Sequence, residues 1–233
     1  MAVKIYNVIN RGIRIRENGV FTAPELITDA GVFFEEAGGY YAGGNILVDG
    51  KEYAVIVSPK ESGQSSTELT WKTVNNQTLA ADSSYNGRYN TNALVNASGT
   101  HPAANFCNNL IINGFDDWHL PAPDELEICY RYLKPTQQQN STGESDTIHG
   151  IRGVNPNSNP VGEAYTLTNP SQTNVSEFIT SNSQSFDSKT YWTSMNNTTV
   201  TYWAWGLHFP SGVQGANVIA NPNAVRAVRW MEV

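Results

Sequence analysis

The residues best suited to chemistry in this chain are few and scattered. Its four histidines, His101, His119, His149 and His208, fit neither an HxxxH nor an HExxH spacing, and a metal centre needs its ligands clustered. Cys107 and Cys129 each fall on the apolar face of an expected helix, which reads as a pair of buried, inert thiols. Zinc held by the two with a histidine, or a disulfide between them, are the alternatives. Carboxylates adjoin at Glu35-Glu36 and Asp116-Asp117, where side chains of an extended chain diverge; glycoside hydrolysis needs two carboxyls facing across a sugar. Calcium ligation by Asp116, Asp117 or Asp146 with Asn carbonyls stays open, without a ligand spacing to support it. There is no GxSxG, P-loop or GxGxxG. The expectation is a protein without catalytic residues, metal or cofactor.

Binding has more to work with. Tyr191, Asn196, Asn197, Tyr202, His208, Gln214 and Asn217 lie in or near the last expected strands and their loops. Aromatic faces combined with amides hold sugars or protein epitopes without charge. These seven are the expected ligand contacts.

Composition narrows the partners. Of 233 residues only 15% are charged, and 21 acidic against 14 basic residues leave a formal charge of −7. A nucleic-acid binder or an anionic-membrane binder would need a basic face instead. An aromatic content of 11% indicates a chain that buries surface rather than a disordered one. Apolar runs such as Tyr53–Val57 are strand-sized, so no membrane insertion is expected. The N-terminus lacks the apolar stretch of a secretion signal, and the Asn-x-Ser/Thr sites at Asn76, Asn96, Asn140 and Asn174 read as products of composition. Synthesis in a cytoplasm combined with an Asn/Ser/Thr-rich surface fits proteins of virus particles, which leave the host by lysis.

The elements that must position these residues follow from period and turn signals. Val3, Ile5 and Tyr6 suggest a strand; Ile13 and Ile15 alternate with Arg14 and Arg16, before an Asn18-Gly19 turn. Ala23 to Phe34 reads as a short helix. Ile46–Val48, Asp49-Gly50 and Glu52–Val57 read as a hairpin with a primed turn, ended by Pro59. Residues 61–100 are polar, with Trp71 as an isolated core candidate. Pro102–Leu110 and Pro123–Leu133 carry one-sided apolar stripes and read as helices. Residues 134–190 form a long polar excursion, with a short helix within Ser171–Phe186 that turns Val175, Phe178 and Ile179 inward. Strands are expected at Tyr191-Trp192, Thr201–Phe209, Val213–Ala220 and Ala224–Trp230, with turns at Ser211-Gly212 and Pro222-Asn223. Alternation places Trp203, Trp205, Leu207 and Phe209 in the core, and Tyr202, Ala204, Gly206 and His208 toward solvent or ligand.

Three ordered fragments carry a resemblance. They are GFDDWHLPAPDEL from Gly114 to Leu126, then Tyr191-Trp192-Thr193-Ser194 with Ala204-Trp205 and Phe209, then Val225-Arg226-Ala227-Val228-Arg229. Together the chain resembles the DUF1566 (Lcl-type) domain over residues 38–233, and the upstream YAVIVSPK and LTWKT resemble versions found in bacteriophage structural proteins. The resemblance implies an α+β, C-type-lectin-like fold: a mixed or antiparallel sheet, two helices and long polar loops. Residues 1–37 are left as a small β-rich segment for attachment or oligomerisation. It implies a display scaffold rather than a reaction. The tripeptides of calcium-dependent lectins are missing, and no cysteine follows Cys129, as the related formylglycine-generating enzymes would require. Trp118, Trp192 and Trp205 are expected to be structural, each with an N–H that needs a partner. So are Asp117 and the strand arginines Arg226 and Arg229, for which a carboxylate (Asp116, Asp117 or Glu125) or a carbonyl should serve as partner.

The expected protein is a virion component, a homo-oligomer with a trimer favoured. Its N-terminal segment contacts other virion proteins and its lectin-like domain binds a host surface glycan or protein. The alternative is a structural decoration, baseplate or tail component that touches only other virion proteins.

Overall fold

A computed structural model of the chain describes residues 29–233 except 75, 77, 79, 145 and 146, and, within the first 28, only the backbone of three strands. These are β1 (Ile5–Val8), β2 (Ile13–Glu17) and β3 (Val20–Phe21), an antiparallel sheet in that order. Glu17 pairs with Val20 across the expected Asn18-Gly19 turn, whose own residues lie outside the described ones. The expected Ala23–Phe34 helix lies outside them up to residue 28. What is described of it is not helical, because Phe33–Phe34 forms a strand, β4, that pairs Phe33 with Tyr40 and Phe34 with Gly39. Burial of Phe34 in the core outweighs the local preference. That pairing crosses the expected boundary between residues 37 and 38.

β5 (Gly39–Val48) and β6 (Lys51–Val57) form the expected hairpin, begun earlier than the sequence indicates. Asp49 and Gly50 both have positive φ, 51° and 79°, as a type I′ turn requires. The polar stretch that follows holds three elements with no apolar periodicity to reveal them: α1 (Lys60–Gly63), β7 (Leu69–Thr70) and α2 (Gly87–Asn96). The buried stripe of α2 is Gly87, Asn90, Thr91 and Leu94, helical in spacing but polar in content. α3 (Pro102–Asn108) and α4 (Pro123–Leu133) are the two expected helices, each with proline in its first turn. Beyond them come β8 (Ser158–Asn159), a 3-10 turn at Ser176–Phe178 where a short helix is expected, β9 (Thr190–Asn196), β10 (Trp203–His208), β11 (Val213–Val218), β12 (Pro222–Asn223) and β13 (Val228–Glu232).

The architecture is mixed α+β, with antiparallel sheets and four helices among the described residues. One sheet runs β13-β6-β5-β4, with β8 also on β5; another runs β11-β10-β9. β6 is central and covered on both faces, which explains its unbroken apolar run. Ala54 and Ile56 point into one core with Trp71, Trp118 and Trp192. Val55 and Val57 point into a second with Leu126, Cys129, Tyr191 and Phe209. α4 lies so close to β5 that a Cβ on Gly43, at the β5 bulge, would come within 2.6 Å of the Tyr132 ring. Both cysteines are free and buried in these cores, and burial pushes their thiols well above the usual range.

Three expectations need correction. Pro222-Asn223 is not a turn but β12, paired with β7; the chain reverses just before it, at Ile219–Ala220. A proline fits because the strand is a two-residue edge piece. The expected strand Ala224–Trp230 is regular only from Val228, since Ala224 and Arg226 make isolated bridges to Tyr191 and Gln64. In β10, Leu207 and Phe209 are buried as expected, but Trp203 and Trp205 are half-buried and Ala204 is fully buried. Both faces of this sheet are covered: Ala204 joins Trp192 in one core while Leu207 joins Tyr191 in the other.

His101, just before α3, gives the fold an acid sensitivity. It is buried, its Nε2 2.8 Å from Thr78 Oγ1 and its ring edge-on to Trp71. Burial, and then the nearby Lys72, push its pKa down from 6.5 to about 4. A depressed histidine is neutral in the folded protein and takes up a proton on unfolding. Stability is therefore lost as pH falls from 6.5 toward 4, by about 3 kcal/mol in all. Urea unfolding at pH 7 and pH 4.5 should show the His101→Gln variant losing clearly less than the parent over that range; equal losses would refute the assignment.

Candidate functional site

The segment GFDDWHLPAPDEL is consumed in joining α4 to β13. Asp117 accepts from Arg229 through both oxygens, at 2.6 and 3.1 Å. Arg229 also donates to Ala37 O and lies 4.0 Å over the Phe115 ring. Trp118 donates its N–H to Phe115 O at 3.1 Å. Glu125 is fully buried and accepts from the Ala122 N–H at 2.5 Å, from His119 Nε2 at 2.9 Å and from the Trp230 indole. A buried carboxylate is tolerable when donors surround it in this way. Gly87 of α2 fits against this knot, where a Cβ would come within 2.2 Å of Glu125 Oε2. Of the expected structural residues, Trp192 donates to Leu69 O at 2.8 Å, and Arg226 finds carbonyls in place of a carboxylate. Trp205 is only half-buried.

A cleft of about 730 Å³ is lined by Asp49, Asp82, Ser83, Ser84, Tyr85, Asn86, Tyr89, Ile148, His149 and Met195; Asp124, in the first turn of α4, bonds to two of them, Ser84 and His149. Asp124 is fully buried. Its Oδ1 is 2.7 Å from His149 Nε2, and its Oδ2 accepts from Ser84 Oγ at 3.0 Å and Asn157 Nδ2 at 2.8 Å. The bond to Asp124 raises the His149 pKa against the effect of burial. Asn90, buried in α2, holds the rim: it accepts from Ser83 N–H at 3.0 Å and donates to Ser83 O at 2.7 Å and Ser194 Oγ at 3.1 Å. Asn86 caps α2 by accepting from Tyr89 N–H at 2.8 Å. Tyr85 and Tyr89 therefore stand on a rigid frame, Tyr89 half-exposed.

The seven expected ligand contacts do not converge on one surface. Tyr191 is buried; its hydroxyl accepts from Asp187 N–H and donates to Gln64 Oε1. Asn196 is buried and donates to Thr78 O, and Gln214 is buried as well. Asn197 accepts from the N–H groups of Thr199 and Val200, closing the β9–β10 loop. His208 Nδ1 meets Ser211 Oγ at 2.8 Å, and Asn217 donates to Gly215 O at 3.0 Å. Tyr202 is exposed at the head of β10. From this part of the chain it is Met195, one residue before Asn196, that lines the cleft.

Sequence reasoning missed Asp82 to Tyr89, Asp124 and His149. The usable signal was Asn86 before a helical stripe, hidden because two of its four positions are Asn and Thr. Among the described residues, no three His, Cys, Asp or Glu side chains gather so as to hold a metal ion, and no helix is long and apolar enough to cross a membrane.

The residues of the sequence signature are spent on internal ties, with polar loops built around them. The match to protein-family models is to the Lcl C-terminal domain over residues 63–229, well over half of the chain, and the chain belongs to that family. No curated protein and no solved structure matches it.

Proposed function

We propose that this protein is a non-enzymatic binding module of a bacteriophage particle, with a C-type-lectin-like domain that holds a host surface glycan in the cleft over α4. The observation that carries this reading is the cleft wall. Two tyrosines, hydroxyls and an amide are set on a frame of buried hydrogen bonds, the combination that stacks on sugar rings and meets their hydroxyls. The Asn/Ser/Thr-rich composition supports display on a particle. In this reading residues 1–37 dock on neighbouring virion proteins, and assembly as a homo-oligomer, a trimer favoured, multiplies weak single-site affinities.

One observation favours a structural component instead. β11 is an edge strand, VQGANV, with neither charge nor proline to discourage pairing, next to half-buried Trp203 and Trp205. An array of bacterial surface polysaccharides separates the two readings. Saturable binding is expected, weakened about tenfold by Tyr89→Ala, on the scale of one lost aromatic contact. A folded protein that binds neither the array nor intact bacteria would overturn the glycan reading in favour of the structural one.

A further inference from the structure

The cleft contains one polar group whose hydrogen-bonding sense is fixed from behind. Asp124 already accepts from Ser84 and Asn157 through Oδ2, and its Oδ1 faces His149 Nε2 at 2.7 Å. A carboxylate surrounded by donors stays an acceptor, so the imidazole proton sits on Nε2. Neutral His149 then offers Nδ1 as an acceptor on its open side, and among the described residues no group bonds to that nitrogen. Beside it the lining turns apolar, through Ile148 and Met195.

An acceptor next to an apolar wall and aromatic faces matches a particular substituent. A sugar hydroxyl can donate to Nδ1 as well, but it leaves the apolar wall beside that nitrogen uncovered. The amide N–H of an acetamido group only donates, and it carries a methyl group a short distance away. We propose that the cleft takes an N-acetylated amino sugar, its amide N–H donated to His149 Nδ1 and its acetyl methyl packed against Ile148 and Met195. This deepens the glycan reading above and depends on it.

The geometry fixes a pH response. A protonated His149 would turn an N–H toward the ligand's N–H, so binding belongs to the neutral imidazole. Among the described residues, the charged groups around His149 are Asp124 and Glu127 of α4, Asp82 before α2 and Asp49 in the β5–β6 turn, and no lysine or arginine lines the cleft. Hydrogen bonding to Asp124 keeps the proton on His149 to a higher pH than in a free histidine. Affinity should therefore fall on going from pH 8.5 to 6, by up to tenfold per pH unit.

The test is titration of the full chain, at pH 6.0, 7.0 and 8.5, with three probes: the N-acetylglucosamine trimer, its de-N-acetylated form and a glucose trimer. The acetylated trimer should bind at least tenfold more tightly than the glucose trimer at pH 8.5 and lose that advantage by pH 6.0. His149→Gln, which keeps an acceptor but cannot titrate, should bind with no pH dependence. His149→Phe should bind both trimers alike. Preference for the de-N-acetylated trimer would overturn the inference in favour of an ammonium held by Asp49 and Asp82. So would equal binding of the glucose trimer, or silence of all three probes while the polysaccharide array is positive; these leave the glycan reading standing. Silence of both the array and the trimers overturns the two together.

Discussion

Replacing Arg226 with alanine is expected to destabilise the protein by about 4–5 kcal/mol, a large share of the roughly 5–15 kcal/mol that holds a domain folded. Arg226 is fully buried with no carboxylate bonded to it. Its Nε and one terminal nitrogen donate to Ser58 O at 3.1 and 2.8 Å, and its other terminal nitrogen donates to Gln184 O at 2.7 Å. The guanidinium lies 4.7 Å over the Phe186 ring and 5.6 Å from that of Phe178. Burial pulls its pKa down to about 10, which still leaves it charged at neutral pH. Three distant pieces of chain meet at this side chain: the end of β6, the loop before β9 and the approach to β13. Alanine would leave the buried Ser58 carbonyl and the half-buried Gln184 carbonyl without donors, at about 1–3 kcal/mol for the buried one and less for the other, and would add a cavity beneath two phenylalanine rings. Arg226→Lys keeps the charge but cannot span both carbonyls. It should recover only part of the loss. Urea unfolding measures both variants, and a loss below 1 kcal/mol for the alanine variant would show that the cluster does not depend on this cation.

Arg226 also shows what the sequence could disclose. An arginine in an apolar strand announces a buried partner, and alternation along this stretch sends Val225 and Ala227 into one core and Arg226 and Val228 toward the other. Period and turn chemistry likewise placed the β5–β6 hairpin, α3 and α4. What stayed hidden was structure built from polar residues. α2 buries Asn90 and Thr91, and α4 buries Asp124, Glu125 and Glu127. A charge on a helix normally marks its solvated face, so these carboxylates read as surface until their donors, spread along the chain from Ser84 to Trp230, are brought to them. The cleft was illegible for the same reason: its frame is made of side-chain hydrogen bonds between distant segments, which leave no period. The Trp203–Trp205 alternation misled because one sheet is covered on both faces.

The second large effect is expected at Lys134, which organises the long polar excursion after α4. Its ammonium is buried and donates to Gln138 O at 2.5 Å, Asn140 Oδ1 at 2.6 Å and Pro170 O at 3.3 Å, with the Tyr130 ring 5.8 Å away. Asn140 extends the tie. It accepts from the Tyr130 hydroxyl at 2.6 Å and donates to Thr166 O and Pro170 O, both at 2.9 Å. Tyr165, Phe178 and Phe186 anchor the excursion to the core; in its polar stretch an internal cation stands among oxygens that would otherwise need a metal ion or water. Lys134→Met preserves the aliphatic stem and removes the donors. It should lower stability by about 2–3 kcal/mol, since Gln138 O loses its donor, Pro170 O keeps only the one from Asn140, and the Asn140 hub is loosened. The loss should begin locally, with hydrogen exchange accelerating at Asn140 and Thr173, whose N–H groups bond to Leu167 O and Lys134 O, before the sheets exchange. Because the cation belongs to the chain, a chelator should leave the melting temperature of the parent protein unchanged. Unaltered exchange in the variant, or a parent protein that melts earlier in the chelator, would refute this account of how the excursion is held.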